Sequence, residues 1–346
     1  MECINLDKFY KLLTMAINNN WSDIHITTNE VVYYRQKNNL YKVNELIFSI
    51  EEVDKIKNVI LNEGQQKTLK NEKVIDFAYE FLSRRFRINI YATYKGLGIA
   101  IRLINNKIID LGNFHQFNIL KNIINKRDGL ILICGATGTG KSTTLAAMLE
   151  YLNQTVAKHI ITLEEPIEYV FTSKNSLIHQ REYQIDFFDF DKAIKMAMRQ
   201  DPDIIMVGEI RDSETMKACL NASETGHLVL GTLHASSVIE AIMRMESFFP
   251  AEKLAEVNMQ IASSLNSIIV QNLVPMVDDN LICCMDILLG TTAVKNIINK
   301  GKLEQLISQI QLNKQKGMQC MRDEILELEK KRLISEEVIK NMGLAK

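Results

Sequence analysis

Gly129-Leu-Ile-Leu-Ile-Cys134-Gly135-Ala-Thr-Gly-Thr-Gly140-Lys141-Ser142 is the stretch that decides the fold. Residues 129–134 are a short, wholly apolar run, the pattern of a strand buried on both faces of a sheet. The next eight residues fit G-x-x-x-x-G-K-[ST], and a helical run over 143–152 follows. Strand, glycine loop and helix, in that order, make the setting in which such a loop cradles phosphates. The glycines let the backbone curl so that N–H groups point inward, and the helix N-terminus adds its positive dipole end. The expected phosphate-binding set is Gly135, Thr137, Gly138, Thr139, Gly140, Lys141, Ser142 and Thr143. Lys141 would reach the β- and γ-phosphates of a nucleotide, and Ser142 would ligate Mg²⁺.

Further along the chain, similar apolar runs recur at 159–163, 204–207 and 228–230, separated by helical patterns. Strands alternating with helices predict an α/β domain: a mostly parallel sheet with helices on both faces. In such sheets ligands gather outside the carboxyl ends of the strands. The first run ends in Glu164-Glu165-Pro166, and the second in Gly208-Glu209-Ile210-Arg211-Asp212. The third is bracketed by His227 and His234. A lysine, carboxylates and imidazole are thus expected along one edge, a set suited to phosphoryl transfer. Taken singly, each is equally a capped loop or a solvated turn.

Before the phosphate loop the grammar differs. A helix is expected over 6–17, strands over 23–27 and 31–35, and a helix capped by Ser49 that runs toward Asn62 and stops near Gly64. Strand-like runs follow at 74–81, 85–94 and 98–104, and then the polar break Asn105-Asn106-Lys107. This predicts a small α+β domain over 1–105, a linker or hinge over 106–113 and the larger domain over 114–346. Nearer the C-terminus, residues 322–346 have helical apolar spacing, with Ser335 as a cap, and are expected to pack on the larger domain.

The bulk properties narrow the function. With 346 residues, 41 Lys plus Arg and 42 Asp plus Glu, the net charge is −1, which argues against a chain that coats nucleic acid or an anionic membrane. No apolar run approaches the ~20 residues of a spanning helix, and the charged start argues against a signal peptide. Cysteines at 3, 134, 219, 283, 284 and 320 show no C-x-x-C spacing, so no zinc is expected and the thiols read as reduced. The expected setting is cytoplasmic.

These segments resemble the boxes of the secretion ATPases of type IV pili and type II secretion. Besides the phosphate loop, Ile160-Ile-Thr-Leu-Glu164-Glu165-Pro-Ile-Glu168 is similar to the acidic box. Arg199-Gln-Asp-Pro-Asp203-Ile-Ile-Met-Val-Gly-Glu209-Ile-Arg211-Asp212 resembles the Walker B segment. Thr225-Gly-His227-Leu-Val-Leu-Gly-Thr-Leu-His234 resembles the histidine box. Within the family the retraction branch is most similar, on Ser176-Leu-Ile-His-Gln180-Arg181-Glu182 and on Ala293-Val-Lys-Asn-Ile-Ile-Asn-Lys-Gly301-Lys302. Departures are Ala136 and Thr139 in the loop, Glu165 for Asp, Lys295 for Arg, and a reduced N-terminal motif at Trp21-Ser22-Asp23-Ile24-His25.

The resemblance implies a RecA-like ATPase domain, a PAS-like N-terminal domain, ATP and ADP as ligands with Mg²⁺, and a homo-hexamer. It implies a pilus retraction motor of twitching motility at the cytoplasmic face of the inner membrane. Such a motor meets the membrane only through partners such as a pilus platform protein, with no direct nucleic acid. Glu164 would orient or deprotonate the attacking water, and Glu209 would hold Mg²⁺ through water, an assignment that can be exchanged. His234 would contact the γ-phosphate. His227 is either a hydrogen-bonded core histidine or a nucleotide-site residue. Arg199 and Arg211 are catalytic candidates by family position. Arg85, Arg87 and Arg102 are candidates to reach the nucleotide from the N-terminal domain, or else surface ion pairs. The rival readings are an assembly, competence or secretion motor of the same family, a nucleotide-bound regulator with weak turnover, and a nucleic-acid translocase.

Overall fold

The computed structural model describes residues 6–36, 39–82, 84–104, 107–278 and 280–341. The chain divides into two compact units, Met1–Lys107 with Pro166–Tyr169, and Ile108–Glu165 with Val170–Lys346. Asn105, Asn106 and Cys3 lie outside the described residues.

The first unit contains α1 (Asp7–Asn19), β1 (Asp23–Thr27), β2 (Val31–Gln36), β3 (Asn39–Ile47), α2 (Ile50–Ile60), α3 (Glu63–Glu72), β4 (Val74–Phe81), β5 (Arg84–Thr93) and β6 (Gly96–Leu103). Its sheet has the order β3-β2-β1-β6-β5-β4 and is antiparallel throughout. Alternation sets its faces: Ile24, Ile26, Ile88, Ile90, Ile99 and Ile101 share a core with Phe9, Leu12 and Leu13 of α1 and with Val53 and Ile56 of α2. Ser49 and Glu52 form the expected capping box on α2. Gly64 is not a stop signal. Leu61 is extended, and Asn62 opens a second capping box with Gln65, so Gly64 lies in the first turn of α3. The strand β3 was not expected either. It lies at the sheet edge with most residues exposed, so it shows no alternation to read.

The second unit contains α4 (Phe117–Ile124), β7 (Gly129–Cys134), α5 (Lys141–Thr155), β8 (His159–Glu164), β9 (Leu177–Glu182), α6 (Phe190–Ala197), β10 (Ile204–Val207) and α7 (Ser213–Glu224). After these come β11 (Leu228–Leu233), α8 (Val238–Ser247), α9 (Leu254–Ser264), β12 (Leu265–Pro275), β13 (Leu281–Leu289), α10 (Thr292–Asn299), α11 (Gln305–Leu312), α12 (Met321–Lys330) and α13 (Glu336–Asn341). The sheet order is β13-β12-β7-β11-β10-β8-β9, with every pair parallel except β12–β13. This is the expected α/β architecture. Successive residues of β7 feed opposite faces. Leu130, Leu132 and Cys134 join a core with α6 to α10, and Ile131 and Ile133 join one with α4 and α5. Each buried aliphatic side chain contributes roughly 1.5–3 kcal/mol, which is why the central strands are apolar on both sides.

Residues 108–113, expected to be part of a hinge, belong to the second unit. Leu111 is buried in the core beside α4 and α5, and Asp110 Oδ1 accepts from Gly112 N–H at 2.7 Å. The last helices cover the β12–β13 hairpin: Ile325, Leu328, Ile334 and Ile339 bury against Val274, Ile282 and Cys284. Cys134, Cys219 and Cys284 are buried and free. No described helix is long and apolar enough to cross a membrane.

Candidate active site

The loop after β7 takes its shape from its glycines. Gly138 and Gly140 have φ of 83° and 86°, a left-handed region that side chains disfavour. At Gly135 a Cβ would lie 2.5 Å from Thr139 Oγ1 and 2.7 Å from the Gln271 carbonyl oxygen. Thr139 Oγ1 donates to Ala136 O at 2.9 Å, and Gln271 Nε2, from β12, donates to Thr139 O at 2.7 Å. Helix α5 starts from Gly140 with no side-chain cap, so its positive dipole end faces the loop. Lys141 Nζ donates to Gly135 O and Ala136 O, each at 2.8 Å, which places its ammonium in the loop's concavity.

The sheet order sets β7, β11, β10 and β8 side by side, so their carboxyl ends form one edge. Glu164 closes β8. It is 6% exposed, and its Oε1 accepts from Thr162 Oγ1 at 2.7 Å and from Gln180 Nε2 at 3.1 Å. These donors fix the carboxylate by hydrogen bonds from neutral groups. On β10 the chain turns at Gly208, whose N–H donates to Leu163 O at 2.8 Å and whose missing side chain allows Glu164 Cα to lie 3.4 Å from a Cβ position. Thr232 Oγ1 donates to Gly208 O, and Ile210 N–H donates to Thr232 O at 3.0 Å, tying the ends of β10 and β11 together.

Beyond that turn lies a charge cluster. Arg211 donates to Glu209 Oε2 at 2.7 Å and to Glu165 Oε2 at 2.8 Å, while His234 Nε2 lies 3.2 Å from Glu209 Oε1. The Glu209 carboxylate, then Glu165, holds the Arg211 guanidinium above its ordinary pKa. Asp212 is not part of this cluster, because its Oδ1 caps α7 through Thr215 N–H at 2.7 Å. Lys141, Glu164, Glu209, Arg211 and His234 therefore share one sheet edge. Ser142 and Thr143 lie in the first turn of α5 beside Thr137 and Thr139 of the loop.

Two expected residues lie elsewhere. His227 precedes β11 at the opposite edge of the sheet. Its carbonyl accepts from Gly129 N–H, at the start of β7, and its Nδ1 lies 3.0 Å from Ala222 O. These bonds hold it at the starting edge, opposite the carboxyl edge that carries the phosphate loop. Arg199 is exposed in the turn between α6 and β10, also at the starting edge. A parallel strand carries only the residues after it to the carboxyl edge, and both of these come before. Arg85, Arg87 and Arg102 belong to the first unit. Arg102 Nε pairs with Asp23 Oδ1 at 2.8 Å, Arg87 Nε with Asp76 Oδ2 at 2.8 Å, and Arg85 Nε donates to Ile167 O at 3.0 Å. Lys295 Nζ donates to Ser263 O at 2.8 Å, at the last turn of α9.

Sequence reading missed a pocket of about 490 Å³ that opens beside the loop. Thr139, Gly140 and Thr143 line it, together with Phe114, His115 and Gln116 before α4, Gln271 and Leu273 on β12, and Ile282 and Cys283 on β13. Mostly apolar, with a few polar groups, it suits a flat heterocycle joined to a phosphate chain. One usable signal was Gln271, which follows the apolar run Ile268-Ile-Val270 and is 2% exposed.

Comparison with known proteins adds the following. Residues 5–342 match the model of a family described as type II/IV secretion system protein. The type IV pilus retraction ATPase PilT of Pseudomonas aeruginosa is 38% identical over 328 residues, covering 94% of this chain and 95% of that protein. A twitching motility protein of Neisseria gonorrhoeae is 37% identical over 305 residues, covering 88% and 82%. A crystal structure of the pilus retraction motor PilT with bound ADP superposes with a TM-score of 0.88 at 33% identity, covering 97% of this chain and 96% of the other.

Proposed function

The chain belongs to the type II/IV secretion system protein family, and from that membership we propose that it is an ATP-hydrolysing motor that drives retraction of type IV pili. The observation that carries the enzymatic part is the shared edge of β7, β11, β10 and β8, which groups the phosphate loop with Glu164, Glu209, Arg211 and His234. The pilus part rests on similarity to PilT and to a twitching motility protein over most of all three chains.

The loop N–H groups and Lys141 bind the β- and γ-phosphates. Glu164 orients a water toward the γ-phosphorus and takes its proton as the new P–O bond forms and the bond to the ADP oxygen breaks. Arg211 adds positive charge, and His234 a hydrogen-bonding ring nitrogen, beside the transferring group. The Ser142 hydroxyl and the Glu209 carboxylate are hard oxygen donors, the class that Mg²⁺ takes, and would hold it, Glu209 through water. Bound Mg²⁺ would neutralise charge on the phosphate oxygens. Arg85, Arg87 and Arg102 serve a nucleotide only by exchanging their present partners. The exposed pairs of Arg87 and Arg102 stabilise the fold by about 1 kcal/mol or less, so that exchange is cheap. On this reading the working form is a ring of six copies at the cytoplasmic face of the inner membrane, acting on a platform protein.

The test is Mg²⁺-dependent ATP hydrolysis over a protein concentration series, with Glu164→Gln alongside. A specific rate that rises with concentration, and is lost in the variant, is expected. Wild type that binds ATP without turning it over refutes the motor. Deletion addresses the pilus role: retained but unretracted pili support retraction, and absent pili point to assembly.

A further inference from the structure

Among the described residues, five buried side-chain nitrogen or oxygen atoms have no hydrogen-bond partner. Two of them, Gln116 Oε1 and Gln271 Oε1, belong to residues lining the pocket beside the phosphate loop. Both residues are 2% exposed. Buried amide oxygens are nearly always paired, so two unpaired ones around one pocket point to an occupant that brings donors.

In both glutamines the nitrogen fixes which way the amide faces. Gln116 Nε2 donates to Cys283 O at 3.1 Å and to Glu324 Oε1. With Glu324 ionised, above about pH 7, turning this amide over would set its oxygen against a carbonyl and a carboxylate, both acceptors. Gln271 Nε2 is held by Thr139 O at 2.7 Å, so Gln271 belongs to the loop end of the pocket. Gln116 is bound instead to β13 and α12, away from the loop. A nucleotide with its phosphates in the loop directs its base away from them. The terminal amide torsion is soft, so a small rotation offers Oε1 to such a base while the nitrogen keeps its partners.

We propose that Gln116 selects the base, its Oε1 accepting from an exocyclic amine at the purine 6-position, and that Glu324 is a positioning residue that holds the amide in that sense. A purine with a 6-oxo group would bring oxygen against oxygen at the same place. Glu324 is itself anchored: it accepts from Met285 N–H at 3.0 Å and from Gln319 Nε2 at 2.7 Å. The proposal rests on the nucleotide-binding reading above and deepens it.

The experiment, at pH 8 where Glu324 is ionised, is displacement of a fluorescent ADP analogue from the full chain by ATP, by purine riboside triphosphate, which lacks the 6-amino group, and by GTP. Wild type should bind ATP about tenfold more tightly than purine riboside triphosphate, the effect of one hydrogen bond to a buried acceptor. In Gln116→Ala that ratio should fall to near one, with affinity for purine riboside triphosphate kept within about twofold. Gln116→Met, close in volume and without an acceptor, gives the same readout should the alanine variant fail to fold. Glu324→Gln should narrow the ratio, because its amide can donate and so lets Gln116 turn over. An ATP preference unchanged in the Gln116 variants overturns the role of Gln116, and one unchanged in Glu324→Gln overturns that of Glu324. Wild type that binds ATP without preferring it overturns the proposal alone. Wild type that binds no triphosphate overturns the nucleotide-binding reading as well.

Discussion

Replacing Glu324 by glutamine should remove a pH dependence from the stability of the second unit. Burial, which outweighs the hydrogen bonds from Met285 N–H, Gln319 and Gln116, pushes the Glu324 carboxyl from its ordinary 4.5 up to about 7. A folded-state pKa raised above the unfolded one means that the native state holds the proton more tightly. Below pH 4.5 both states are protonated and the contribution is complete. Between pH 4.5 and 7 the unfolded chain releases its proton while the native one retains it, so stability falls as pH rises. Above about 7 the loss is complete. The interval between 4.5 and about 7, at 1.36 kcal/mol per pH unit, makes it about 3 kcal/mol. The assay is urea unfolding followed by far-UV ellipticity at several pH values from 4.5 to 8, for wild type and Glu324→Gln. Trp21, the single tryptophan, lies in the first unit, so its fluorescence is not the probe for this site. Asp286, also raised by burial, and His25, lowered by burial, titrate in both proteins and cancel in the difference. The difference curve should fall by about 3 kcal/mol across the window. A flat difference would refute the reasoning, because it would mean that burial does not set the Glu324 equilibrium.

Two further substitutions probe the carboxyl edge. Arg211→Ala removes the cation shared by Glu165 and Glu209; hydrolysis should fall at least about tenfold, while the melting temperature moves little, because the pairs are largely exposed. A large loss of stability with activity intact would contradict the role given to Arg211. Gly208→Ala places a Cβ 3.3 Å from Leu163 O and 3.4 Å from Glu164 Cα, both backbone atoms that yield reluctantly. It should lower the hydrolysis rate about ten- to a hundredfold by displacing Glu164, with nucleotide affinity kept, as a titration of each variant with a fluorescent ADP analogue would show.

The central strands were legible because a parallel strand buried on both faces must be a short apolar run, and β7 and β10 have the bounds read from the sequence. The residues that follow those runs were legible for the same reason, since the carboxyl end of each strand opens onto one edge. Of the two alternatives left open for His227, its place before β11 favours the hydrogen-bonded one, since residues before a parallel strand fall at the other edge; Arg199, a candidate by family position, falls there too. The hairpin β12–β13 was not read. Its long strands mix Gln271, Asn272 and Asp286 into apolar surroundings, and their importance comes from β12 lying beside β7, a pairing about 135 residues apart in sequence that no local pattern encodes. The pocket residues Gln116 and Cys283 were hidden likewise, since only the fold brings them together in the pocket beside the phosphate loop. In the first unit, α3 escaped because a glycine at the start of a helix looks like one at its end.

The split of the chain limits how it can be divided. The backbone passes from one unit to the other at three peptide bonds, 107–108, 165–166 and 169–170. Two of these flank a four-residue stitch, Pro166–Tyr169, in which Ile167 is 9% exposed and held by Arg85. The stitch begins one residue after Glu165 and two after Glu164, so the acidic strand end of the second unit and a segment of the first are consecutive in the chain. The first unit therefore cannot be cut away as an N-terminal fragment without leaving part of itself behind, inside the loop that follows the acidic strand.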